Sequence, residues 1–281
     1  TYHVPGLAAA IINTNGICWE GYYGMANIED NQAVDTNTIF TLASVSKTIT
    51  ASAVLQLHQQ DSFDLDDDIN SYLPFEVLIP DYPDSPITFR QLLTHTSSIR
   101  DNWDCMPYCN GGDCTESLYT FLYNYLTPDG DCYFPDLNFS SDTSGTYVYC
   151  NIGFALLGLL VEEISETPFN EYCNTFLFDE MEMSNSRWFL SETDMSLLAT
   201  PYRYTVSPEY TAWAHYGLPD YPNGLLRSNT HDLSNFLLTY IQGGMYNDET
   251  SILDPETIQL LTPSDFSDGL TWRLDSLDYD Y

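Results

Sequence analysis

Lys47 is the single lysine of the chain; the other six cationic side chains are arginines, set against 41 Asp and Glu. A composition so hostile to lysine points to a position that arginine cannot fill. A guanidinium stays protonated, whereas a buried amine can release its proton and act as a base. Ser44 stands three residues earlier, in Ser44-Val45-Ser46-Lys47. On a helix, residues i and i+3 share a face, so hydroxyl and amine would lie side by side. A serine at a helix N-terminus also meets unpaired N–H groups and the positive end of the helix dipole, which favour an alkoxide. The two would make an activated nucleophile for acyl transfer. The alternative is a solvated lysine in a first helical turn, beside a serine without a role.

The hydrophobic pattern supplies the elements that must hold this pair. Residues 44–60 read as a helix that is apolar nearly all round, through Ile49, Ala51, Ala53, Val54, Leu55 and Leu57, and so should be buried. Upstream, the β-prone runs 6–12 and 17–24 flank Thr14-Asn15-Gly16, a strong hairpin signal. Helical segments are expected around Leu92 and Leu93 and at 117–126, 152–164, 169–178 and 232–242, with 200–225 irregular. Strands would resume near Leu270. No internal repeat or interdomain linker is visible. Strands, then many helices, then strands give an α+β class, with a mostly helical insertion in a sheet-containing lobe.

Composition bounds the function. With 43% apolar and 15% aromatic residues in 281, a substantial core can form. A formal net charge of −34 argues against nucleic acid and against polybasic attachment to anionic lipid. The longest apolar run, 152–161, falls short of the roughly 18 residues of a membrane span. Four of the seven cysteines, Cys105, Cys109, Cys114 and Cys132, crowd into one loop-like stretch. Two disulfides in an oxidising compartment are expected, with three pairings open; a zinc site is the alternative, but the paired C-x-x-C spacing is missing. Asn138-Phe139-Ser140 is a lone glycosylation sequon. Asp64, Asp66 and Asp68 have a calcium-loop rhythm, but Ile69 and Phe75 occupy the positions of its Gly and Glu, so a solvated acidic turn is expected. The histidines show no metal-binding spacing, and no G-x-S-x-G elbow exists. No cofactor or metal is expected. His95 reads as a structural histidine near a helix end. Trp103, Tyr108, Tyr202, Tyr204, Tyr210 and Trp213 are candidates for a site rim.

Several segments in order carry a family resemblance. Val4-Pro5-Gly6-Leu7, Phe40-Thr41-Leu42-Ala43-Ser44-Val45-Ser46-Lys47, Leu92-Leu93-Thr94-His95-Thr96-Ser97, Tyr149-Cys150-Asn151-Ile152-Gly153 with Leu156-Leu157-Gly158, and Gly224-Leu225-Leu226 with Asp232-Leu233 stand at family-like spacing. Together the chain resembles the serine β-lactamase and penicillin-binding-protein-like family, above all its class C β-lactamase, esterase and D,D-peptidase branch. The resemblance implies a β-lactamase/transpeptidase-like fold, an antiparallel sheet flanked by helices with a mostly helical second lobe. As one domain over 1–281, it would have a sheet lobe at about 1–60 and 232–281. The helical lobe would run from about 61 to 231 and include the cysteine-rich loop 101–143.

The resemblance also assigns roles. Ser44 would be the nucleophile, Lys47 would help take its proton, and Tyr149 would share the base role and return a proton to the leaving group. Asn151 would orient substrate and Lys47, and the Ser44 backbone N–H would be one oxyanion donor. A small-molecule or peptide substrate with an ester, amide or β-lactam bond is implied, in a secreted, extracellular or periplasmic protein. The strongly acidic chain disfavours anionic substrates, which ranks esters and amides above β-lactams. The same negative field should hold Lys47 charged unless burial opposes it. Two departures stand out. Ser98 replaces the family's usual Gly. Gly269-Leu270-Thr271-Trp272 resembles the strand before the third motif, which does not follow; a C-terminal truncation, with the last strands missing, is expected. The competing reading is a non-catalytic binding or structural homologue that keeps only the shell.

Overall fold

The computed structural model describes residues 3–141, 145–205, 209–247, 250–261 and 270. Its first element is the expected hairpin. Strand β1 (Gly6–Asn13) pairs antiparallel with β2 (Gly16–Asn27), from Gly6 opposite Gly24 to Asn13 opposite Gly16. Gly16 sits at φ +109°, a region that residues with a Cβ avoid, which is why Asn-Gly can close this turn. Strand β3 (Gln32–Ala33) pairs with β2, giving the sheet order β1-β2-β3. Two-stranded pairs complete the described β-structure: β4 (Phe40–Thr41) with β9 (Arg227–Ser228), β5 (Cys109–Asn110) with β8 (Tyr216–Gly217), β6 (Tyr202–Tyr204) with β7 (Tyr210–Ala212), and β10 (Met245–Tyr246) with β11 (Thr250–Ser251).

The described α-helices are α1 (Ser46–His58), α2 (Phe89–Leu93), α3 (Leu118–Leu126), α4 (Pro135–Asn138), α5 (Asn151–Ser165), α6 (Phe169–Cys173), α7 (Thr230–Ile241) and α8 (Pro255–Leu261). Side-chain caps explain several starts. Thr88 and Gln91 form a reciprocal capping box on α2, while Ser117 and Asn229 cap α3 and α7. The helix expected at 169–178 is α6 followed by a π turn, Asn174–Phe178, in which Phe176 is exposed and Leu177 and Phe178 are buried. The class is α+β, as the order of elements implied. Of the strand expected around Leu270, only Leu270 is among the described residues; it is buried, and its N–H donates to Leu260 O.

One apolar core joins α1, α3, α5 and α6 with residues of α7 and α8. Helices α1 and α5 lie at its centre, with Ile49, Ala51, Ala53 and Leu55 of one and Phe154, Leu156, Leu157 and Leu160 of the other fully buried. Helix α7 packs across β1 and β2. Helix α5 also crosses a 3-10 turn, Tyr221–Asn223, at Gly158. A Cβ on Gly158 would lie 2.4 Å from Pro222 Cγ, so this contact demands glycine.

The cysteine-rich loop holds two disulfides, Cys105–Cys132 and Cys109–Cys114, so its four thiols are consumed in pairs. The acidic run behaves as a turn. Asp66 holds Arg90 through two contacts of 2.7 and 2.9 Å, Asp67 accepts from Tyr72, and Asp68 caps Asn70. The sequon asparagine is not a surface residue. Asn138 is fully buried, its amide nitrogen donates to Tyr125 O (2.8 Å) and Cys132 O (2.7 Å), and its oxygen accepts from Asn102. No helix among the described residues is long and apolar enough to cross a membrane.

Candidate active site

Ser44 lies in a 3-10 turn, Ala43–Val45, that leads straight into α1. Three ties fix that turn. Strand β4 pairs with β9 just before it, Leu42 N donates to Leu226 O (2.9 Å), and Ser46 Oγ donates to Ala43 O (2.6 Å) while accepting from Leu226 N (3.0 Å). Ala43, the residue before Ser44, takes φ +47°. A residue with a Cβ in that region is strained, and such strain gathers where a side chain must be presented sharply.

Lys47 follows on the first turn of α1 and is 3% exposed. Its Nζ donates to Asn151 Oδ1 at 2.7 Å and to Asn223 O at 2.6 Å, and stands 3.5 Å from Ser44 Oγ. The rings of Tyr149 and Phe154 lie 5.0 and 5.6 Å from it. Burial pulls its pKa down to about 8, against the opposing pull of Asp101, Cys150 and Asp220. Desolvation therefore outweighs the acidic surroundings, the conflict that the net charge of the chain posed.

Tyr149 precedes α5, and its phenol donates to Ser44 Oγ at 2.8 Å. Burial raises its pKa, and the contact with Ser44 works the other way. His95, at the end of α2, holds this segment. Its carbonyl accepts from Val148 N (2.8 Å), its Nδ1 accepts from Cys150 N (3.1 Å), and its ring packs 4.5 Å from that of Tyr149. Burial first, and Lys47 second, press its pKa to about 4, so the imidazole is neutral at physiological pH. The expected structural histidine is thus one that positions Tyr149. The structural reason for a glycine at the position of Ser98 is also visible: Ser98 takes φ +65°.

Asn151 opens α5. Asp101, which the sequence reading passed over, receives three of its neighbours there: Asn151 N (2.8 Å), Asn151 Nδ2 (2.7 Å) and Ile152 N (3.2 Å). This carboxylate at a helix N-terminus is favoured by the dipole. Its loop is clamped by Tyr125, whose hydroxyl donates to Arg100 O (2.8 Å) and accepts from Asn102 N (2.6 Å). The one signal for Asp101 in the sequence was its position just after the Leu92–Ser97 segment.

The four residues singled out in the sequence, Ser44, Lys47, Tyr149 and Asn151, therefore lie together. Two of them, Ser44 and Asn151, line a cleft of about 150 Å³ together with Trp103, Met106, Tyr108, Tyr216 and Asp220. Of the six proposed rim aromatics, only Trp103 and Tyr108 line it. Tyr202, Tyr204 and Tyr210 belong instead to the β6–β7 hairpin, where Tyr204 stacks on His3, and Trp213 lies under Arg203. Tyr216 was missed because nothing in its local sequence marks it; Arg227, buried behind it, donates to its carbonyl at 2.6 Å.

Comparison with known proteins gives a consistent result. The Beta-lactamase family model matches residues 1–279. A penicillin-binding protein of Bacillus subtilis (strain 168) is 26% identical over 215 residues, 73% of this chain and 42% of that protein. The chain spans less than half the length of the curated relatives it matches. The octameric penicillin-binding protein homologue from Pyrococcus abyssi superposes with a TM-score of 0.71 at 22% identity, covering 95% of this chain and 60% of its own. EstCE1, a hydrolase with promiscuous acyltransferase activity, gives 0.73 at 18% identity, covering 92% and 72%. The fold is thus the β-lactamase/transpeptidase fold.

Proposed function

The chain belongs to the beta-lactamase family, and on that premise we propose that it is a serine hydrolase working through an acyl-enzyme on Ser44. The observation that carries this reading is the position of Ser44 Oγ, 2.8 Å from the Tyr149 hydroxyl and 3.5 Å from a buried lysine amine. A neutral amine has two N–H donors and one lone pair. Asn151 Oδ1 and Asn223 O take the two donors at 2.7 and 2.6 Å, which leaves the lone pair for the Ser44 hydroxyl.

In the acylation step Ser44 Oγ attacks the carbonyl carbon and gives its proton to the Lys47–Tyr149 pair. The carbonyl oxygen becomes an oxyanion, for which the Ser44 backbone N–H is one donor, as the resemblance implies. When the tetrahedral intermediate collapses, the Tyr149 hydroxyl returns the proton to the leaving oxygen or nitrogen. Water then attacks the acyl carbon, giving its proton to the same pair, and Ser44 is regenerated. Asn151 keeps Lys47 in place and offers its side chain to the cleft.

Esters and amides are the proposed substrates ahead of β-lactams, because the acidic surface disfavours a substrate carboxylate. The disulfides support an oxidising location, extracellular or periplasmic. The test uses the whole protein with p-nitrophenyl acetate and nitrocefin. A stoichiometric burst of p-nitrophenol that Ser44→Ala abolishes is expected. Absence of any burst in the wild type would favour a non-catalytic homologue.

A further inference from the structure

The cleft beside Ser44 holds one ionisable acid and, among the described lining residues, no base. The acid is Asp220, 1% exposed. Its Oδ2 accepts from Asn223 Nδ2 at 2.6 Å, whereas its Oδ1 is buried with no hydrogen-bond partner. A buried carboxylate oxygen without a donor costs free energy, so Asp220, a residue of the cleft wall, keeps an unmet acceptor. Lys47 does not fill it; the contacts of its Nζ run to Asn151, Asn223 and Ser44.

The rest of the wall suits the same kind of group. Trp103, Tyr108 and Tyr216 present aromatic surfaces, and Trp103 and Tyr108 are 63% and 56% exposed. Aromatic faces attract cations. The net charge of −34 concentrates cations near the protein and repels anions. Among the described lining residues a substrate carboxylate would meet Asp220 and no arginine or lysine, while Lys47, buried against Asn151 and Asn223, is the cation that acts on Asp220.

We infer that the cleft selects acyl groups that carry a protonated amine, as in aminoacyl esters or amides, with Asp220 Oδ1 accepting from the ammonium. This rests on the serine hydrolase reading and narrows its substrate class.

The experiment compares three phenyl esters of matched length, those of β-alanine, butyric acid and succinic acid, with the whole protein at neutral pH. Phenol release is corrected with Ser44→Ala. The β-alanine ester should exceed the butyrate ester in kcat/KM by about tenfold or more, the range of a buried charge contact, and the succinate ester should be slowest. In Asp220→Asn the first ratio should fall to about one. A wild-type ratio at or below one, or a ratio that survives Asp220→Asn, overturns this inference and leaves the hydrolase reading standing. No Ser44-dependent release from any ester overturns both. Should Asp220→Asn fail to fold, propylammonium chloride is tested against sodium chloride of equal ionic strength as an inhibitor of wild-type butyrate ester hydrolysis. Selective inhibition by propylammonium supports the inference, and equal effects overturn it.

Discussion

Asp101 takes both nitrogens of Asn151, the backbone N–H at 2.8 Å and the side-chain amide at 2.7 Å. Because the amide nitrogen is held on that side, its oxygen must face Lys47, which it meets at 2.7 Å. One carboxylate therefore decides which end of an amide the lysine sees. Asp101→Asn should free Asn151 to turn and lower kcat by about tenfold to a hundredfold, the scale of a small displacement in a catalytic group. It should also move the pH profile, since Asp101 is the strongest of the groups that hold Lys47 protonated. With that charge gone, the rising limb should shift to lower pH. A rate loss with an unmoved profile would mark Asp101 as a purely structural cap.

The wild-type profile follows from Lys47. Its pKa is pulled down to about 8, and the base form is the neutral amine. Acylation should therefore rise with pH, about tenfold per unit, and level off above about pH 8. Lys47→Arg should abolish it, because guanidinium cannot accept the proton. Pre-steady-state burst amplitudes and rates across pH check both outcomes, and retained acylation in Lys47→Arg would remove the proton-acceptor role.

Much of this arrangement was legible in the sequence, and the reasons are local. A lone lysine three residues from a serine, on a segment apolar all round, leaves few options for where the pair can sit. Asn-Gly between two β-prone runs likewise encodes its own turn. Asp101, Asn223 and Asp220 were harder to see because their importance is made by tertiary contact. Asn223 acts through its backbone carbonyl, which carries no side-chain signature. Asp101 and Asp220 are two among 41 acids, and only packing separates them from the solvated majority. The rim aromatics show the same limit. Six were named by type, yet four belong to other surfaces, because ring chemistry says nothing about which loop folds over Ser44.

Gly158 tests how tightly the site is supported from behind. A Cβ there would collide with Pro222, one residue from the carbonyl that Lys47 meets at 2.6 Å. Gly158→Ala should cost about 1–3 kcal/mol of stability through overpacking. It should also lower kcat by shifting Asn223 away from Lys47, although Gly158 does not line the cleft. Denaturant unfolding and burst kinetics on the same variant check the two effects; lost stability with an unchanged acylation rate would uncouple the turn from Lys47.

The Cys105–Cys132 disulfide closes a loop with a sequence separation of 27 and begins beside Trp103 and Met106 of the cleft wall. Replacing both cysteines by serine should cost about 2–4 kcal/mol and lower Tm. On the proposed function the wall binds substrate without handling protons, so KM should rise more than kcat falls. A matching fall in kcat at constant KM would contradict that division of labour.

The buried amide of Asn138 has a practical consequence. A eukaryotic secretory host adds oligosaccharide to nascent Asn-x-Ser segments while the chain is still open. Asn138 must later enter the interior with both amide hydrogens committed to carbonyls. A sugar attached there would block that step, so material made in such a host should accumulate misfolded and glycan-bearing. A bacterial periplasm, which permits disulfides without this modification, is the appropriate place to produce the protein.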